Sequence, residues 1–152
     1  MIVSQTAEYA LRAVVWLAGR PDAALTTKAL SAQIRVPEGY LAKVMLPLVR
    51  ARLVSSQRGR NGGFRFLGDP AKTTVFDVID SVDPLQRILT CPLGHASHGK
   101  RLCPLHRRLD QAMGMVQKAF RETSVADLLA ESTSSPPLCA RKSRGNGRRA
   151  TA

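Results

Sequence analysis

The chain has 152 residues, 44% of them hydrophobic, and a formal net charge of +12. This length predicts one domain with a packed core, and the hydrophobic content excludes a wholly disordered chain. Because no apolar run approaches about 18 residues, a transmembrane protein is excluded as well.

The charge and the cysteine content indicate what the chain binds and where it acts. Lys and Arg number 23 against 11 Asp and Glu, which predicts a polyanionic partner, with nucleic acid favoured over an anionic membrane surface. Three cysteines do not make a closed set of disulfides, so we expect thiols or metal ligands in a reducing cytoplasm. The N-terminal residues lack the pattern of a signal peptide, and we expect none.

The first third of the chain predicts three helices. Apolar residues recur at helical spacing over residues 3–19, and Thr26 or Thr27 suits the start of a short second helix. Pro37 suits the first turn of a third helix. Pro47 lies inside that helix and has no backbone donor, so we expect it to kink or end the helix and to distort the turn toward residue 50.

The middle of the chain predicts a β-hairpin followed by a helix. Residues 53–56 and 63–67 are strand-like, and the Asn-Gly pair at residues 61–62 is a strong hairpin signal. Thr73 or Thr74 then caps a further helix.

A loop over residues 91–103 leads into a long helix that begins at Pro104. One last short helix is predicted around Val125. The long helix carries an apolar stripe formed by Leu105, Leu109, Ala112, Met113, Val116 and Phe120.

The order of these elements, three helices and then a hairpin, is that of a winged helix-turn-helix, a mainly α fold whose third helix enters the major groove. No Asp or Glu occurs between Gly39 and Gly68, and arginines near a glycine-containing hairpin tip can approach a narrow minor groove. A solvated basic face on an ordinary helical domain is the alternative, but charge, helix order and hairpin together favour DNA binding. The candidate DNA-binding residues are Thr27, Glu38, Gly39, Tyr40, Lys43, Arg50, Arg58, Arg60 and Asn61.

Three segments resemble the BadM/Rrf family of bacterial transcription regulators. YLAKVMLPLVRARLVSSQRGRNGGFRF resembles that family's recognition helix and wing, and RGxxGGF is its most specific part. MIVSQTAEYALRAVVWLA is similar to the first helix, and CPLGHASHGKRLCPLH lies where the family has its cluster-binding loop. The resemblance implies a homodimer on double-stranded promoter DNA, dimerised through the long helix and acting as a repressor. Ala42 replaces an acidic residue found in some members, so no operator sequence is carried over.

With this resemblance, the chain divides into three parts. Residues 1–84 are expected to form the winged helix-turn-helix DNA-binding domain, and residues 85–131 the metal- or cluster-binding loop with the dimerisation helix. Residues 132–152 are rich in Ser, Pro and Gly and carry five basic residues and no acidic ones. This composition predicts a disordered basic tail.

The resemblance implies an iron–sulfur cluster held by three cysteines of the loop. Cys91 and Cys103 match the outer two, whereas Ser97 takes the middle position and His98 follows it. His106 lies three residues after Cys103, as a ligand histidine does in some members. Because Cys103 directly precedes the proline that begins a helix, its sulfur is expected at a helix N-terminus, which favours the thiolate.

Several alternatives remain open at this loop. Two thiolates with imidazoles suit a two-iron cluster better than a four-iron one, and zinc or no metal are the other options. In some members an acidic side chain of the partner's first helix completes the cluster. Glu8 occupies that position, and the alternative for it is a solvated helix charge. An enzyme with Cys103 as nucleophile and His106 as base is disfavoured, since the loop offers no carboxylate to orient the histidine. We therefore expect no catalytic residues.

Overall fold

The computed structural model describes residues 3–22, 24–59, 62–94 and 101–131. Within them the chain forms a mainly helical fold with one small β-hairpin, which confirms the predicted fold class. The elements in chain order are α1 (Gln5–Ala18), α2 (Thr27–Ile34), α3 (Glu38–Arg50), β1 (Val54–Gln57), β2 (Gly63–Phe66), α4 (Val75–Val82), α5 (Pro104–Arg121) and α6 (Val125–Ala130). None of the helices in these ranges is long and apolar enough to cross a membrane. The predicted tail, residues 132–152 with Cys139, lies outside the described residues.

The helices begin at polar residues that cap their first turns. The Ser4 hydroxyl accepts a hydrogen bond from the backbone N–H three residues later, and the Thr26 hydroxyl does the same for α2. Thr74 and Ser124 each form a capping box with the aspartate three residues on. Each such cap contributes about 1 kcal/mol to helix stability. The predicted helix starts near Thr26 and Thr74 are thus confirmed.

Pro47 was expected to kink or end the third helix, and the helix does not end there. α3 continues to Arg50, and the Ala51 N–H donates to the Pro47 carbonyl at 2.9 Å. Pro47 cannot donate to the carbonyl of Lys43, but Lys43 lies on the exposed side of α3, where water can hydrate that carbonyl. The chain leaves the helical conformation only at Arg52, whose φ of 58° is left-handed and ends the helix.

The core is built around α1, of whose 14 residues eight are buried. Leu17 of α1, Leu30 of α2, Leu41 and Leu48 of α3 and Val78 of α4 are fully buried in one cluster. α5 differs from the other helices, since none of its 18 residues is buried. It lies at the edge of the fold, where Phe120 packs on a smaller cluster that includes Ile79.

The hairpin that forms the wing is attached to the helices by a third extended segment. Leu25 and Phe64 form an antiparallel bridge in which each N–H donates to the other residue's carbonyl, at 3.0 and 2.7 Å. Gly63 stands beside this bridge with a φ of 148°, and a Cβ built on it would lie 2.5 Å from the Leu25 carbonyl atoms. The backbones approach so closely that only glycine fits at this position.

A second bridge, between Thr74 and Ser124, joins the end of α5 to the start of α4. The Val75 N–H donates to the Thr123 carbonyl at 2.9 Å, and the Val125 N–H donates to the Thr73 carbonyl at 2.8 Å. The C-terminal end of α5 is therefore fixed to the segment that follows the wing.

Candidate DNA interface and metal site

The candidate DNA-binding residues of α3 lie on the side of the helix that faces away from the core. Glu38, Gly39, Lys43 and Arg50 are exposed, whereas the apolar residues of the opposite side are buried. A Cβ built on Gly39 would meet no atom within 4 Å. Nothing in the described chain therefore blocks the approach of a ligand to this face.

Tyr40 differs from its neighbours, because it is half-buried and faces α1. Its hydroxyl lies 2.6 Å from the Thr6 hydroxyl, and its ring packs edge-on against Tyr9 with centroids 5.5 Å apart. These contacts hold the N-terminal end of α3 against α1. Thr27 is half-buried at the first position of α2, directly after the Thr26 cap.

The wing, whose first strand packs against α3, carries positive charge. Arg58 is exposed immediately after β1, and Arg65 is exposed on β2. The hairpin pairs Gln57 with Gly63, so its loop spans residues 58–62, and the Gly62 N–H donates to the Gly59 carbonyl at 2.9 Å. The other two wing candidates, Arg60 and Asn61, lie outside the described residues.

Cys103 and His106 meet at the N-terminus of α5. Cys103 is the N-cap residue of the helix, and its Sγ lies 3.3 Å from His106 Nδ1. Both side chains are half-buried. A sulfur atom and an imidazole nitrogen, both of which can bind a metal, therefore lie side by side at a helix N-terminus.

The segment before the cysteine loop is fastened along α5. The Arg87 guanidinium makes two hydrogen bonds of 2.6 Å to the Asp110 carboxylate, which also accepts from the Ile88 N–H at 3.0 Å. The bonds from Arg87, with that from Ile88, hold the pKa of Asp110 below its usual range. Gln117 further donates to the Leu85 carbonyl. These bonds fix the chain that leads into Cys91, which is half-buried.

The Glu8 carboxylate forms an ion pair with an arginine of the same helix. Its Oε1 lies 2.5 Å from Arg12 Nε, and both side chains are about one-third exposed. Arg12 also donates to the Ile34 carbonyl at the end of α2, at 3.1 Å. An intrachain arginine thus satisfies Glu8 in the single chain.

The described residues bring together only part of the candidate metal ligands. Within those ranges, no three His, Cys, Asp or Glu side chains form a group able to hold a metal ion. His98, like His95, lies outside the described residues. Among the candidate ligands in the described ranges, Cys103 and His106 are in contact with each other.

Two residues of functional interest were missed by the sequence analysis. Leu46 is 51% exposed in the middle of the outward face of α3, and Arg12 links Glu8 to the end of α2. Helical periodicity could have indicated both, because Leu46 lies about two turns after Gly39 and Arg12 lies one turn after Glu8.

Most of the chain matches the model of a known protein family. The model of the family described as "Rrf2: Iron-dependent Transcriptional regulator" matches residues 3–131. A protein of Aquifex aeolicus described as an HTH-type transcriptional regulator is 29% identical over 132 residues, which are 85% of this chain and 92% of that protein. The regulator BadM of Rhodopseudomonas palustris is 42% identical over 69 residues, 45% of this chain and 44% of its own length. The family and these relatives are transcriptional regulators and not enzymes, in agreement with the expectation from sequence.

Solved structures share the fold. CymR, the global cysteine regulator of B. subtilis, superposes with a TM-score of 0.69 at 23% identity and covers 86% of this chain and 98% of its own. IscR of T. potens superposes with a TM-score of 0.68 at 21% identity, covering 84% and 85% of the two chains. The family match over residues 3–131 confirms the predicted resemblance: the chain belongs to the Rrf2 family of transcriptional regulators.

Proposed function

We propose that this chain is a cytoplasmic, homodimeric repressor that binds double-stranded promoter DNA. α3 enters the major groove, and the wing tip around Arg58 approaches the adjacent minor groove. The observation that carries this proposal is the outward face of α3 together with the wing, where no acidic residue occurs from Gly39 to Gly68. Lys43, Arg50 and Arg58 are the cations placed to contact phosphates or bases.

Removing single cations tests this interface. Lys43→Ala and Arg58→Ala are each expected to weaken DNA binding and to reduce the slope of log K against log salt concentration by about 0.9, the value for one lost phosphate contact. Lys72→Ala is the matched control, because it removes the same charge from an exposed residue outside this surface. Fluorescence anisotropy over a salt series measures all three. Equal slopes for the three variants would contradict the proposed surface.

We infer that the partner of α5 is a second copy of the chain. Leu105 and Leu109 are 64% and 51% exposed, and Ala112 is exposed one turn further along the same face. A row of exposed apolar residues at helical spacing is typical of a helix that packs on another surface. Two copies of this stripe can bury each other's apolar side chains across a twofold axis. The same twofold symmetry is needed to bind a palindromic DNA site.

For the loop, we propose an iron–sulfur cluster held by Cys91, Cys103, His106 and His98, with Glu8 of the partner subunit as a further ligand. The fit rests on Cys103 and His106, whose donor atoms already lie 3.3 Å apart at a helix N-terminus. A cluster, a two-iron one in preference to a four-iron one, supplies an oxidation- and iron-sensitive centre. Because Cys103 caps the helix that carries the dimer stripe, the state of this loop is proposed to alter DNA affinity. Zinc, or no metal, is the alternative for the same residues.

Metal analysis decides between these options. Anaerobically purified protein is expected to absorb between about 400 and 500 nm and to contain matching iron and sulfide. Cys103→Ser is expected to lose both, whereas Cys139→Ser in the predicted tail keeps them. One zinc per chain in colourless protein would contradict the cluster and favour the zinc alternative. Equal DNA affinity with and without the cluster would contradict the switch but leave the DNA interface intact.

A further inference from the structure

The outward face of α3 is apolar at its centre. Leu46 is 51% exposed, although the other leucines of α3 are fully buried. It lies one turn after Ala42 and about two turns after Gly39, which are both exposed on the same side. Since Gly39 and Ala42 carry little or no side chain, Leu46 is the large apolar group of this part of the face.

Cations flank this apolar centre. Lys43 lies one turn before Leu46, Arg50 lies one turn after it, and both are exposed. No carboxylate occurs in the chain from Gly39 to the end of the wing. An apolar centre between two cations complements a polyanion that presents an apolar group between its phosphates.

The major groove of DNA presents one such group, the 5-methyl of thymine, next to the acceptors and donors of the base edges. Alanine and other apolar side chains contact this methyl in the groove. Leu46 offers no hydrogen bond, so it cannot distinguish bases by donors and acceptors. We propose that Leu46, supported by Ala42, reads thymine at a defined position of each half-site through its 5-methyl group. This inference rests on the proposed DNA-binding function and names the base feature that α3 recognises.

A double-mutant cycle between one side chain and one methyl group tests the inference. The full chain first selects duplexes from a randomised DNA pool. Each thymine of the selected half-site is then replaced by deoxyuridine, which removes the 5-methyl and leaves the base-pairing and groove hydrogen-bonding groups in place. At one or two positions the affinity of the native chain is expected to fall about fourfold, the factor that corresponds to burying one methyl group.

The matching protein variant is Leu46→Ala. It is expected to bind the thymine duplex more weakly and to show much less loss on deoxyuridine substitution at those positions, because the methyl has lost its partner. Leu67→Ala is the control, since Leu67 is 56% exposed but lies outside α3; it is expected to retain the full thymine preference. Because Leu46 is exposed, circular dichroism and thermal unfolding of Leu46→Ala are expected to match the native chain.

The outcomes separate this inference from the proposed function. Failure to enrich any duplex, with no binding at low salt, would contradict DNA binding itself. If duplexes are enriched but thymine and deoxyuridine give equal affinity at every position, the proposed recognition of the methyl group is contradicted and the proposed DNA binding is not. An unchanged thymine preference in Leu46→Ala would also overturn this recognition. Unchanged DNA binding by Leu46→Ala on every duplex would contradict any contact between Leu46 and the DNA.

Discussion

Replacing Gly63 by alanine is expected to lower the free energy of unfolding by about 3 kcal/mol, a large share of the 5–15 kcal/mol typical of a domain. The new Cβ would lie 2.5 Å from the carbonyl carbon and oxygen of Leu25, which are backbone atoms and cannot rotate away. The φ of 148° adds strain for any residue with a side chain. Relief requires separating Leu25 from Phe64, which breaks the two hydrogen bonds that attach the wing. Urea denaturation measures the change.

The matched control for this substitution is Gly39→Ala. A Cβ at Gly39 meets nothing within 4 Å and lies in a helix, so the stability is expected to rise by up to about 1 kcal/mol. A Gly63→Ala variant as stable as the native chain would show that the wing is not attached through Leu25. Comparing the two variants thus distinguishes the backbone's need for glycine at residue 63 from the general stabilisation that alanine gives a helix.

The double substitution Leu105→Lys with Leu109→Lys is expected to convert the proposed dimer into a monomer and to lower DNA affinity by at least about 100-fold. A twofold axis repeats every change, so two lysines become four charges in one apolar contact, and burying unpaired charge is costly. A monomer engages one half-site at a time and loses the gain from binding both halves together. Sedimentation equilibrium gives the mass, and anisotropy with the selected duplex gives the affinity.

Met115→Lys provides the control on the same helix. Met115 is 69% exposed but lies on another flank of α5, beside Arg108 and Lys118. We expect this variant to remain dimeric and to bind DNA as the native chain does. A dimer that survives both lysines at Leu105 and Leu109 would place the interface elsewhere.

Local patterns in the sequence were sufficient for most of the fold. The helix starts at Thr26 and Thr74 follow from hydroxyl side chains before apolar runs, and the hairpin follows from strand-like segments around Asn-Gly. α3 continues through Pro47 although proline lacks a donor and crowds the carbonyl four residues earlier, because that carbonyl lies on an exposed helix face where water can hydrate it. Such rules predict structure correctly where the residue and the structural feature that it determines lie within one helical turn of each other.

Local patterns cannot predict contacts between residues that are far apart in the sequence. The bridge of Leu25 with Phe64 joins two segments 39 residues apart, and no local signal marks it. Periodicity showed that α5 has an apolar stripe, but it cannot tell whether the same chain or another one covers that stripe. Helical periodicity places Leu46 on the outward face of α3. Its exposure was not predicted, because leucine in a helix is usually a core residue.

The two ends of α5 connect different parts of the chain, the cysteine loop and the start of α4. Its C-terminal end is fixed by the backbone bonds of Thr123 and Val125 with residues at the start of α4, and its other end carries Cys103. A helix of 18 residues is about 27 Å long, so a rotation of about 5° at the fixed end moves the far end by about 2 Å. Conversely, a small displacement at Cys103 would become a change of angle, with little translation, where the helix joins the start of α4.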